Sequence, residues 1–254
     1  MKKIILILAL LLQLFAKDFK ISVGVSLAPY VYFVEKIGGD FVDVSVFVPQ
    51  QKNPKFYDLT YDQVKKIKDL KLLIGAGVGY ETKWFDRLRK ANPSLRILKP
   101  QTPCGESICY QWLSIANVEE IAQQIAHYLR MIDIKNAQNY KNNLEKFLQE
   151  LAGLREEIRT IFLTATSHLK VIDYAPVWKD FSQEFNLDYV LLEDVKNMKQ
   201  KWCFVTPFDP RKQIMQKYHF TLKYLFVVDP FSRDWKETLL QFAHMVTLGR
   251  KNAK

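Results

Sequence analysis

Apolar residues recur at steps of three and four through the stretch from Asn136 to Phe162. Tyr140, Leu144, Phe147, Leu148, Leu151, Leu154, Ile158, Ile161 and Phe162 fall on one face, the mark of an amphipathic helix. Only Gly153 interrupts it, at a cost of roughly 1 kcal/mol. At 1.5 Å per residue the helix is about 40 Å long, the width of a domain. The pattern on either side alternates short strands with helices, so the long helix is expected either to join two α/β lobes or to run through the core of one α/β domain.

Before it, Lys20–Ser26 reads as a strand, 29–37 as a helix stopping at Gly38-Gly39, and Asp43–Val48 as a second strand. Strand, helix and strand in about 30 residues form a parallel βαβ unit. After a loop through 50–58, Thr60 is placed as the N-cap of a helix to Lys68. Strands at 72–75 and 95–98 flank a helix at 84–91, and Asn117 is placed as the cap of a helix over 118–131. Beyond the long helix the alternation continues: strand 170–174, helix 177–185, strands 188–192 and 202–206, a helix capped by Asp209 with Pro210 at its first position, strand 223–228 and a final helix over 234–248. Only about nine residues join Leu192 to Trp202, short for a parallel crossover. The two strands therefore lack a connecting helix or are not direct neighbours.

The N-terminus adds a destination. Met1-Lys2-Lys3 precedes an apolar run from Ile4 to Leu14, and Ala16 is followed by Lys17-Asp18, a pattern that fits an export signal cleaved near Ala16. An uncleaved membrane anchor is the alternative, although the run is too short to span a bilayer as one helix. The expected organisation is a signal over 1–16, an amino-terminal lobe over 17–134, the linking helix over 135–163 and a carboxy-terminal lobe over 164–254. At 48% apolar and 13% aromatic the chain has ample material for a core. Its net charge of +10 falls to +8 without Lys2 and Lys3, and the lysines are scattered, so nucleic acid is not an expected partner. Cys104 and Cys109 stand five apart in TPCGESIC, and in an oxidising compartment their simplest fate is a disulfide. Cys203, in WCFVT, is expected to be buried and inert. No nucleophile elbow, zincin motif, phosphate loop or catalytic carboxylate pair is present, so no enzyme activity is expected.

Six stretches in order, VGVSLAPYVYFVEKIGGDFVDVSVFVP, NPKFYDLT, YQWLSIANVEEIA, WKDFSQEFNL, FVTPFDPRK and VVDPFSRDW, resemble the zinc/manganese solute-binding proteins of ABC importers. The resemblance implies two α/β lobes, a rigid linking helix and a ligand cleft between the lobes. It implies a monomeric periplasmic protein that carries zinc or manganese to an ABC permease of the inner membrane. That family ligates its metal with two histidines of the amino lobe and a histidine or glutamate plus an aspartate of the carboxy lobe. Here those positions fall on Lys55, Tyr110, Ala175 and Asp229, so Asp229 alone keeps a ligand type suited to such ions. A protonated lysine has no lone pair, alanine no donor, and a phenol ligates only when deprotonated.

His127, His168, His219 and His244 occupy none of these positions. Asp173, two residues before Ala175, points to the same side of an extended strand and is a possible substitute ligand. Tyr57, Asp58 or reduced Cys104 and Cys109 are others. Two functional readings follow: a metal-delivering binding protein, or a degenerate relative whose cleft serves another ligand or a protein partner. For the second, Lys55 is expected to replace the dication by pairing with Asp229 within about 4 Å, directly or through Tyr110 or water, and to hold that carboxyl below its ordinary range.

Overall fold

The computed structural model describes residues 20–79, 81–99, 109–164, 169–195, 202–219 and 222–251. Strands β1 (Ile21–Val25), β2 (Val42–Val46), β3 (Leu72–Ile74) and β4 (Arg96–Leu98) form one sheet in the order β2-β1-β3-β4, all parallel. Its buried face is built from Val23, Val25, Leu72 and Ile74. Helices α1 (Pro29–Gly38), α2 (Tyr61–Lys66) and α3 (Glu81–Ala91) connect these strands. Gly38 ends α1 because a Cβ there would meet Val42 Cγ2 at 2.3 Å, and Gly39 then turns the chain at φ +54°, a conformation glycine takes at little cost. Thr60 caps α2 as expected, in a reciprocal pair with Gln63.

Strands β5 (Lys170–Asp173), β6 (Asp188–Leu191), β7 (Trp202–Val205) and β8 (Tyr224–Val227) form a second parallel sheet in the order β6-β5-β7-β8. The short link after Leu192 is explained by this order, because β6 and β7 lie on opposite sides of β5 and are not neighbours. Between the sheets run α4 (Ile115–Ile132) and the long α5 (Ala137–Leu163), while α6 (Lys179–Glu184), α7 (Arg211–Lys217) and α8 (Trp235–Lys251) complete the second half. The expected long helix is thus one continuous element of 27 residues. Its Phe147 meets Phe33 of α1 at 6.2 Å between ring centroids, and its Phe162 meets Phe181 of α6 at 6.3 Å, so it packs against both lobes.

Two expected caps are corrected. The cap of α4 is Ser114, whose Oγ accepts from Asn117 N at 3.3 Å. The 3₁₀ turn Gln111–Leu113 delivers the chain into the helix three residues earlier than the asparagine suggested. Pro210 rather than Asp209 occupies the cap position of α7, because the Asp209 side chain turns back to accept from Thr206 N at 2.6 Å. Helix α3 begins at Glu81, three residues before the apolar period does.

Nothing lies within 4 Å of a Cβ built on Gly153. Gly153→Ala is therefore expected to stabilise the fold by about 0.5–1 kcal/mol, raising the melting temperature by roughly 1–4 °C for a chain of this size. An unchanged or lower melting temperature in thermal denaturation would contradict a straight, uncrowded helix at this point.

Candidate binding site between the lobes

In each sheet the strand order reverses between two central strands, β1 and β3 in the first, β5 and β7 in the second. In open α/β sheets ligands bind beyond the carboxyl ends of the strands at such a reversal. Lys55 follows β2, Tyr110 follows β4, Ala175 follows β5 and Asp229 follows β8. All four sequence-derived positions therefore lie in loops at the carboxyl ends of strands.

Lys55 sits in a one-turn 3₁₀ helix, Pro54–Phe56, capped by Asn53, whose Oδ1 accepts from Lys55 N at 3.0 Å. Its ammonium is exposed and lies 5.8 Å from the centroid of the Phe56 ring, itself 79% exposed. It forms no ion pair with Asp229, so the direct form of the expected internal substitute for a cation is not made. A hydrated ammonium gains little from an exposed pair, and the adjacent ring face offers about 0.5–1 kcal/mol without dehydrating it.

Asp229 is met by a neutral partner. It is half-buried; its Oδ1 accepts from Phe231 N at 2.9 Å, and the Gln50 side chain, from the loop after β2, lies near enough to favour the charged carboxylate. Burial outweighs these donors and holds the carboxyl above its ordinary range, opposite to the depression expected from a lysine partner.

Tyr110 packs against Trp112 at 5.4 Å and Phe231 at 5.7 Å between centroids. Burial, with the carboxylates of Asp209 and Asp173 adding to it, pushes its phenol well up. The phenol is thus a proton-bearing donor rather than a phenolate ligand. Ala175 brings no polar side chain, and its carbonyl accepts from Val177 N at 2.6 Å.

Asp173, the possible substitute ligand, is 1% exposed. Its Oδ2 accepts from Val177 N at 3.0 Å, Trp178 N at 2.8 Å and Tyr189 Oη at 3.3 Å, so it organises the loop that carries Ala175. Burial pushes its carboxyl up to about 8, with Asp209 adding to the rise. All three donors reach Oδ2, so a proton on Oδ1 is compatible with them. Cys203 is buried and free, with its thiol pushed up mainly by burial. Cys109 is disulfide-bonded; Cys104, like His168 and the proposed signal, lies outside the described residues. Among the described residues no three His, Cys, Asp or Glu side chains converge as a ready metal cage.

Sequence reasoning passed over Gln50 and Glu81 and read Asp209 only as a helix cap. Glu81, 0% exposed, holds the other reversal point. Its carboxylate accepts from Ala76 N at 2.8 Å and Gly77 N at 2.9 Å, with further bonds from Ser26 and Val78. Burial nevertheless pushes it up to about 7. A glutamate closing the glycine-rich GAGVGYE was the available signal.

Two parallel four-stranded sheets, with their reversal points at a common seam and one long helix packed against helices of both lobes, define a bilobed solute-binding fold. The chain belongs to the family described as "Zinc-uptake complex component A periplasmic", whose profile matches residues 23–202. Among curated relatives, the metal ABC transporter substrate-binding lipoprotein SsaB of Streptococcus sanguinis is 26% identical over 205 residues, 74% of this chain and 65% of that protein. The manganese ABC transporter substrate-binding lipoprotein PsaA of Streptococcus pneumoniae is 26% identical over 155 residues, 54% of this chain and 50% of that protein. The matches to these two relatives thus cover about two thirds or less of their length. A zinc-bound ZnuA deletion mutant superposes with a TM-score of 0.78 at 26% identity, covering 90% of this chain and 97% of that one.

The Asp173 shift has a defined sign. A carboxyl raised from its ordinary range to about 8 binds protons in the folded state that the unfolded chain has released, so stability falls as pH rises from about 4 to 8. Asp173→Asn keeps the acceptor oxygen and removes this contribution. Melting temperatures at pH 5 and pH 8, with chelator present, should show a smaller drop in the variant than in the wild type. An equal or larger drop would mean that Asp173 is charged throughout.

Proposed function

We propose that this protein is the solute-binding component of a metal ABC uptake system, exported to the periplasm and delivering zinc or manganese to a membrane permease. It works as a carrier without catalysis, as a monomer, with lobes over 17–134 and 164–254 on a shared helix at 135–163. The observation that carries this reading is the state of Asp229, at the family's aspartate position. It stands half-buried at the seam, bonded only to neutral donors, in a chain of net charge +10. Asp173 and Asp209 lie on the same carboxyl-end side of the second sheet, and none of the three carboxylates forms an ion pair among the described residues. Such a locus attracts a small cation into an otherwise basic protein. Gln50 approaches it from the amino lobe and Tyr110 packs on the neighbouring Phe231, while Lys55, over Phe56, is withdrawn from competition.

Metal analysis of protein purified without chelator, followed by calorimetric titration with zinc and with manganese, tests the reading. Binding of at least one ion is expected, weakened about tenfold or more in Asp229→Asn. No binding of either ion, or an affinity unchanged by Asp229→Asn, would overturn it. The family positions generate a second expectation. Groups that merely support a metal's ligands are worth about 10–100-fold in affinity, so Lys55→His with Ala175→Glu, which restores two ligands directly, is expected to raise zinc affinity by about 100-fold or more. A double variant no tighter than wild type would remove Lys55 and Ala175 from the ligand positions.

A further inference from the structure

At the opposite end of the first sheet a hollow of about 590 Å³ opens beside the amino ends of β1 and β3. Lys20, Lys68, Lys71 and Lys135 line it, all exposed, together with Asp69 and Asp133. None of the four lysines forms an ion pair among the described residues. Asp133 is already engaged, accepting from Tyr140 Oη and Asn136 Nδ2, each at 2.7 Å. Four ammoniums thus face two carboxylates, one of them committed elsewhere. On the turn between α4 and α5 that supplies Lys135, Ile134 is 82% exposed and Met131, at the end of α4, 46% exposed.

We propose that this face docks on a bilayer surface bearing anionic phospholipid headgroups. Lysines ringing a hollow, with an aliphatic side chain standing out beside them, suit the boundary of such a surface: the ammoniums meet phosphates while Ile134 enters the apolar edge. The chain itself argues for lipid over a soluble anion. The apolar run Ile4–Leu14 ends only six residue steps before Lys20, a reach of at most about 22 Å. As long as that run is uncleaved and held in a membrane, the hollow stays within about 22 Å of the bilayer. Docking by this face turns the candidate site, at the other end of the same strands, away from the lipid. Delivery to a membrane partner then requires release, which a salt-sensitive contact of a few lysines permits.

The test places an environment-sensitive fluorophore on the full chain at Ile134→Cys, with identically treated wild type as the blank for other thiols. Vesicles of phosphatidylglycerol are expected to shift the emission to the blue and vesicles of phosphatidylcholine are not, whether or not the apolar run tethers the chain to both. About 0.5 M salt should reverse the shift. Lys68→Gln, Lys71→Gln and Lys135→Gln combined should weaken docking by roughly 100-fold, from the contribution of each lysine near an anionic surface. If the triple variant does not fold, the salt and lipid dependence of the labelled protein decides alone. An absent shift with phosphatidylglycerol, or an equal shift with phosphatidylcholine, would overturn the proposal. Inorganic phosphate that saturates the hollow in calorimetry and displaces the protein from vesicles would reassign it as a soluble-anion site, overturning the membrane assignment.

Discussion

The carboxylate of Glu184, at the end of α6 in the carboxy lobe, holds the two halves of the molecule in register. Its Oε2 accepts from Ser114 Oγ at 2.9 Å and from Ile115 N at 2.7 Å, capping the first turn of α4 from another part of the fold. Its Oε1 receives Arg155 Nε at 2.9 Å, and the same guanidinium reaches Glu119 of α4 at 2.9 Å. One arginine on the long helix thus ties α4 to α6, and a negative charge sits at a positive helix end. The three side chains are 10–30% exposed, so removing one member costs less than the loss in a fully buried network, on the order of 1–3 kcal/mol. Against a total stability of about 5–15 kcal/mol, that is a large fraction held in one place.

The consequence for the site is preorganisation. Trp112 Nε1 donates to Pro230 O at 2.7 Å, Trp235 Nε1 donates to the Trp112 carbonyl, and the Trp235 ring meets Phe33 at 5.0 Å. Phe231 packs on both Tyr110 and Trp112. The loop bearing Asp229 is therefore fastened to the residues that follow Tyr110 by apolar contact and by hydrogen bonds buried away from water. Separating the lobes would expose these rings and orphan two indole donors, each buried donor costing about 1–3 kcal/mol. A cleft built this way receives its ligand largely preformed, with adjustment confined to short loops such as 50–58.

What sequence disclosed follows the range of the interactions involved. Periodicity found each of the strands among the described residues and the continuous α5, because burial of one face is written locally. The Thr60–Gln63 pair was readable because both partners lie within four residues. Ser114 was passed over for Asn117 because its selection depends on Glu184, seventy positions away. Helix α3 was started late because Glu81 is polar in a sequence and buried only in the fold. Aligning the family's motif placed Lys55 and Asp229 in loops after β2 and β8, but an alignment carries no side-chain direction. Gln50, five residues earlier and unremarkable as a sequence feature, is the amino-lobe side chain that faces Asp229 instead.

That exchange bears on what the seam can hold. A lysine paired with Asp229 would have neutralised the locus and opposed any dication with its own charge. An amide donor satisfies one lone pair of the carboxylate, leaves its charge in place and leaves other lone pairs open. The penalty is visible as a carboxyl held above its ordinary range by burial. A ligand that brings positive charge relieves that penalty, whereas a neutral ligand does not, and an anion would add to it. On the proposed function, the seam would favour cations through the sign of a half-buried carboxylate without an ion-pair partner among the described residues, even where three of the four family ligand positions hold residues that are poor donors to a metal.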